Sequence, residues 1–188
     1  ALHGTPRPAD LLRDEGGGVV VNVAHAGVSA QATAHAQDVK RFLGTLGYAF
    51  GAVRAGFTAP GRLLRVRVDG EEVEDGSRRV LMVTVALGTS IGGGAPVAPQ
   101  ARPDDAVADV IVATADSPLA RAGYGIDLRR GTHLDRDDVR VLQGKHVQVV
   151  ATAPEEAFLV NTDGEVEDRR MERSWRLVPH CWRIRSTG

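Results

Sequence analysis

Asp163-Gly164-Glu165 is the tripeptide of this chain with the most chemistry in it. It follows the apolar run Phe158-Leu159-Val160-Asn161-Thr162, so a short strand ends in an acid, a glycine and a second acid. The strand supplies rigidity, and Gly164 allows a sharp turn with positive φ. Two carboxylates then project from one fixed edge, close enough to share a metal ion, a proton or a phosphate-bearing ligand. The tripeptide also has a plainer reading. Asp-Gly between two strands is a strong hairpin signal, which makes the acid a turn former.

A second acidic group lies upstream. Asp104, Asp105 and Asp109 follow Gly92-Gly93-Gly94 and Pro99. Hard oxygen ligands suit Mg²⁺ or Ca²⁺, and Mg²⁺ needs only one or two carboxylates plus water. Taken singly, each aspartate reads equally as a solvated turn residue. The six histidines are scattered. No Cys/His cluster has zinc-ligand spacing and no nucleophile elbow is present, which leaves a zinc hydrolase or a serine triad without support. Gly16-Gly17-Gly18 lacks both the Walker lysine and the dinucleotide spacing.

The elements that must position these groups are mostly strands. Arg7 to Leu12 reads as a short edge strand with proline near its start, and Val19 to Ala24 as one buried strand. From Ser29 the period changes. Val39, Leu43 and Leu46 share one helical face, and a second helical stretch carries Tyr48, Phe50, Val53 and Phe57 up to Pro60-Gly61. After Pro60 the pattern is almost wholly β, with strands expected at Leu64–Val68, Val80–Leu87, Val107–Ala113, Val139–Leu142, His146–Ala151, Ala157–Asn161, Ser174–Val178 and Cys181–Arg185. Many short strands parted by Gly, Pro and Asp turns indicate a mainly β fold: an antiparallel β-sandwich with one or two helices inserted near the N-terminus.

Composition narrows the function. The 188 residues suit one domain with a real core. Residues 1–6 read as a linker and 7–188 as the sandwich. With 23 basic and 24 acidic residues the net charge is −1, so a broad electrostatic grip on nucleic acid is not expected. The single Cys181 excludes an intramolecular disulfide and suits a reducing compartment. No apolar run has the length of a membrane span, and no signal peptide is visible.

The order of the motifs resembles the C-terminal half of the bacterial diacylglycerol kinase-like lipid kinases, relatives of sphingosine and ceramide kinases. The resemblance runs from about Arg7 to Ile184. Its residues are Val20-Val21-Asn22-Val23-Ala24 leading to Gly27, Leu46-Gly47-Tyr48, Asp69-Gly70, Gly92-Gly93-Gly94, Pro99-Gln100-Ala101, Asp105 to Val110, Asp163-Gly164-Glu165 and Val178-Pro179. No single motif is specific; their order and spacing are. The resemblance implies a β-sandwich second domain hinged to an N-terminal nucleotide-binding kinase domain whose Gly-Gly-Asp-Gly phosphate loop is absent here. It implies an ATP-dependent enzyme phosphorylating a hydroxyl of diacylglycerol or a similar lipid in phospholipid biosynthesis. ATP would be the co-substrate and Mg²⁺ the cofactor.

Carried over residue by residue, Asp163 matches the proposed base that takes the lipid hydroxyl proton, and Glu165 the partner acid near the nucleotide and its Mg²⁺. Asp105 matches a structural-metal ligand, joined by backbone carbonyls at Arg102 and Val107. Departures stand at Ala106, where the family has glycine, at Gly27-Val28-Ser29 in place of Gly-Phe-Asp, and at Leu87 in place of asparagine. The implied partners are the N-terminal kinase domain, a lipid at the membrane surface and a second copy in a homodimer, with no nucleic acid. The implied location is cytoplasmic and peripheral to the membrane. Two other classes stay open: an NAD kinase-like small-molecule kinase domain, and a catalytically idle β-sandwich that binds a regulator.

Overall fold

A computed structural model of the chain describes residues 5–27, 60–91 and 94–185. Two six-stranded antiparallel sheets face each other. The first has the strand order β2-β1-β12-β9-β4-β5, from β1 (Arg7–Asp14), β2 (Val19–Val20), β4 (Arg62–Val68), β5 (Glu71–Val80), β9 (His146–Ala151) and β12 (Glu172–Ile184). The second has the order β11-β10-β3-β6-β7-β8, from β3 (Val23–Gly27), β6 (Met82–Ala86), β7 (Ala108–Ala113), β8 (Val139–Gly144), β10 (Val160–Thr162) and β11 (Glu165–Val166). The antiparallel β-sandwich expected from the turn spacing is therefore present.

Alternation explains the layers. In β4, Leu64, Val66 and Val68 are buried while Arg65 and Arg67 face water, as a half-buried strand requires. These valines meet Val83, Val85, Val110 and Val112 of the second sheet across the sandwich, with Trp175 the largest fully buried side chain. The second sheet is apolar on both faces. Its outer face carries Val23, Met82, Ile111 and Ala113, covered by Val97, Ala98 and Tyr124. That double burial is why β3, β6 and β7 are buried along their whole length and mostly apolar, broken only by His25, Thr84 and Asp109.

Four expectations are corrected. Val19 to Ala24 is not one strand: β2 ends at Val20 in the first sheet and β3 begins at Val23 in the second, the chain crossing between sheets at Val21-Asn22. Arg7 to Leu12 is not the edge strand, because β2 lies outside it, although β2 covers only Leu12 and Arg13 and leaves the Pro8 half open. Ser174–Val178 and Cys181–Arg185 form one strand, β12, bent where His180 takes a φ of 51°. The segment after Pro60 also contains a helix, α1 (Pro118–Arg130). Ser117 caps it by accepting the Ala120 N–H at 3.0 Å, Pro118 opens it, and Gly131 closes it at φ 75°. Only Arg121 and Tyr124 of α1 are buried, so it carries almost no apolar stripe to betray it. The helices expected between Ser29 and Phe57 lie outside the described residues.

Among the described residues no helix is long and apolar enough to cross a membrane.

Candidate functional site

The site grows from the crossing between the sheets. Val21 and Asn22 belong to neither sheet, so their N–H groups need partners from elsewhere. Asp163 supplies them. Its Oδ2 accepts the Val21 N–H at 2.8 Å, and its Oδ1 accepts those of Asn22 and Val23 at 3.0 and 2.9 Å. In return the Asp163 N–H donates to the Val23 carbonyl at 3.0 Å. Asp163 and Gly164 are the two central residues of the β10–β11 hairpin, with φ of 51° and 99°, closed by the Thr162–Glu165 pair. Two positive φ values are what a type I′ turn needs. Asn161 steadies the turn by accepting the Gly164 N–H at 2.9 Å.

Asn22 ties a third segment to this turn. Its carbonyl accepts the Leu87 and Gly88 N–H groups at 2.8 and 3.1 Å, and its Nδ2 donates to the Ser90 carbonyl at 3.1 Å. A Cβ on Gly88 would stand 2.0 Å from Asn22 Oδ1, so any other residue there would displace the Asn22 side chain from its bond to Ser90. Residues 21–23, 87–90 and 163–165 thus form a rigid rim at one end of the second sheet. Glu165 opens β11 on this rim, exposed, and makes none of the hydrogen bonds or ion pairs found among the described residues. Reading Asn22 as an ordinary strand residue missed this role. The signal was a polar residue breaking an otherwise all-valine run.

The hairpin is also held from behind. Glu167 accepts the Thr162 hydroxyl at 2.9 Å and pairs with Arg173, a buried guanidinium that also contacts Asp14 at 3.0 Å and Glu15 at 3.3 Å. The two sheets are therefore tied through one cation.

The second acidic group is split. Asp109 lies buried in β7, where Gln100 and Gln143 donate at 3.4 and 3.3 Å. Burial pushes its carboxyl above the usual range, and the charge of Asp105 adds to the shift. Asp105 is exposed on the preceding loop, and its Oδ1 accepts the Val107 N–H at 3.3 Å across Ala106, whose φ is 61°. The Pro103 and Asp104 carbonyls are engaged by the Asp10 N–H and the His180 ring. A carboxylate and backbone carbonyls, the donor types at Asp105, Arg102 and Val107, are ones that Mg²⁺ accepts while keeping most of its waters. No cluster of three or more His, Cys, Asp or Glu suited to a metal occurs among the described residues. Asp105 and Asp163 share one end of the sheet without forming one donor set. Val23 and Asp109 are two strands apart in one register row, roughly 10 Å by strand spacing.

One further polar group stands on the outer face. His25 sits opposite Thr84 and Asn161 on neighbouring strands, all three buried. Burial lowers the His25 pKa to about 4, so its ring is neutral near pH 7.

Comparison with known proteins gives the fold relatives. Residues 22–185 match the family described as the YegS C-terminal NAD kinase beta sandwich-like domain. No curated protein matches the chain. Among solved structures, a proposed diacylglycerol kinase from Bacillus anthracis strain Sterne superposes with a TM-score of 0.67 at 19% identity, over 97% of this chain and 58% of that one. A structure of diacylglycerol kinases from the same strain gives a TM-score of 0.59 at 14% identity, over 97% of this chain and 55% of that one. At these identities the likeness is one of fold. The chain spans somewhat over half the length of the structures it matches.

Proposed function

The chain belongs to the family of YegS C-terminal NAD kinase beta sandwich-like domains, and from that membership we propose that it is the second domain of an ATP-dependent lipid kinase. The acceptor is a hydroxyl of diacylglycerol or a similar lipid, met at the membrane surface, and an N-terminal domain supplies most of the nucleotide site. The observation that carries this reading is the rim at the end of the second sheet, where Asp163 and Asn22 lock three segments and leave Glu165 projecting.

Phosphoryl transfer needs an in-line acceptor, neutralised phosphate oxygens and a group that takes the hydroxyl proton. The lipid oxygen bonds to the γ-phosphorus as the bond to the bridging oxygen of ADP breaks, and the proton passes to Asp163. A carboxylate offers about four acceptor sites. Three are filled by the strand N–H groups, two on Oδ1 and one on Oδ2, which leaves Oδ2 as the proton acceptor. Glu165 stands two residues on, toward the nucleotide. Mg²⁺, when bound with the nucleotide, neutralises the phosphate oxygens. Asp105, with the Arg102 and Val107 carbonyls, would hold a separate structural cation.

Incubating the full-length protein with labelled ATP and diacylglycerol in mixed micelles tests the reading. Labelled phosphatidic acid is expected from the full-length protein and none from residues 1–188 alone. Transfer to NAD in place of lipid would favour a small-molecule kinase. A second reading, an idle sandwich, draws on the three strand bonds of Asp163, which suffice to explain an aspartate there. Absence of transfer to any lipid or to NAD would favour it.

A further inference from the structure

Asp10 sits where the pairing of β1 with β12 slips, between Ala9 and Leu11. Its side chain is fully buried. The one basic side chain within 4 Å of its carboxylate among the described residues is the His180 ring, with Nε2 3.8 Å from Oδ1. Each of its polar groups leaves the strand. Oδ2 accepts the Ala106 N–H at 2.8 Å, and Oδ1 accepts the His180 N–H at 2.7 Å. The Asp10 N–H donates to the Pro103 carbonyl at 2.7 Å, and the Asp10 carbonyl accepts from the Trp182 indole at 2.8 Å. All four bonds land on the 103–106 loop or on the 180–182 bend of β12.

The two captured amides have something in common. Ala106 and His180 are both left-handed, with φ of 61° and 51°. The other non-glycine residues with positive φ among the described ones are Asp69 and Asp163, each paired with a following glycine in a hairpin turn. Ala106 and His180 have no such excuse. Left-handed backbone is unfavourable for an L-residue, and an unpaired buried carboxylate is more so. Placing that carboxylate between the two turns offsets both costs with charge-assisted hydrogen bonds.

We propose that Asp10 is the positioning residue of the 102–107 loop. Its carboxylate holds Ala106 in the left-handed turn that aims Asp105 and ties that loop to the His180–Trp182 bend, so loop and bend move as one unit. The positioning stands on geometry alone; its consequence for cation binding rests on the reading of Asp105 as a cation ligand.

Amide exchange and Mg²⁺ titration on the full chain test this, using wild type, Asp10→Ala and Asp10→Ala/Ala106→Gly. In wild type the Ala106 and His180 amides exchange slowly although Ala106 is only half-buried and His180 is exposed. In Asp10→Ala, which keeps no acceptor for either amide, both exchange about tenfold faster or more, as loss of a hydrogen bond to a charged group implies, and Mg²⁺ binds more weakly. Adding Ala106→Gly restores Mg²⁺ affinity, because glycine takes the left-handed turn unaided, while His180 stays fast. A purely structural role for Asp10 does not yield that split. Retained protection of either amide in Asp10→Ala overturns the proposal, as does unaltered Mg²⁺ affinity. So does free exchange of either amide in wild type, a result that does not depend on the variant folding. If wild type takes up no Mg²⁺ while Asp10→Ala loses both protections, the positioning role stands and the cation reading of Asp105 falls.

Discussion

Asp69 and Asp163 make the same turn in opposite sheets. Each is the first central residue of an Asp-Gly hairpin, with φ of 50° and 51°. Each turns its carboxylate onto the neighbouring strand. Asp69 takes the Lys145 and His146 N–H groups, and Asp163 those of Val21, Asn22 and Val23. Each also donates its own N–H back, to the His146 and Val23 carbonyls. Asp69 is thus an internal control for Asp163, with the same backbone role and no part in the proposed chemistry. Asp69→Asn and Asp163→Asn should each destabilise the fold by about 1–3 kcal/mol in urea titration. Only Asp163→Asn should cost the full-length protein about 10²–10⁴-fold in turnover. Equal, small losses in both would reduce Asp163 to a turn former.

Glu165→Gln separates binding from folding. The side chain is exposed and unpartnered among the described residues, so the melting temperature should hold, within roughly ±0.5 kcal/mol. Nucleotide affinity and turnover of the full-length protein should both fall. Unchanged nucleotide binding would remove Glu165 from the site.

Asp105→Ala should make turnover of the full-length protein need more Mg²⁺, without loss of the Asp163 rim. A Mg²⁺ titration that overlays wild type would remove the loop cation.

His25 gives a pH signature. Its pKa is about 4 in the folded chain against 6.5 for a free ring. As pH falls through 6.5 the unfolded chain binds the proton first, so stability is full above that pH and declines toward 4. The loss reaches about 2 kcal/mol by pH 5. His25→Leu should flatten the slope of urea midpoints between pH 7 and 5. Parallel slopes would clear His25 of the effect.

Arg173→Met tests the tie between the sheets. The guanidinium is 5% exposed and faces three carboxylates, so its removal should cost about 3–5 kcal/mol. A loss below 1 kcal/mol would show the pairs to be incidental.

Much of this protein is decided locally, and local features are legible in its sequence. Leu64–Val68 alternates because one face meets the core. Asp163-Gly164 is a hairpin because few residue pairs accept two positive φ values. The motif order from Asn22 to Pro179 marks the family. Other features depend on partners far along the chain. The valine run from Val19 reads as strand, but only the packing of two sheets decides that it is cut at Val21-Asn22. Helix α1 escapes notice because only Arg121 and Tyr124 are buried, although its Ser117-Pro118 start and Gly131 stop stand in plain view. Asp10 and Arg173 read as surface charges until donors and acceptors some 160–170 residues away close on them. The carboxylate of Asp163 looks equally free until Val21, Asn22 and Val23 arrive from about 140 residues upstream. Sequence period reports which face of an element is apolar. Whether a buried charge is satisfied depends on the far ends of the chain, and only the tertiary structure brings those together.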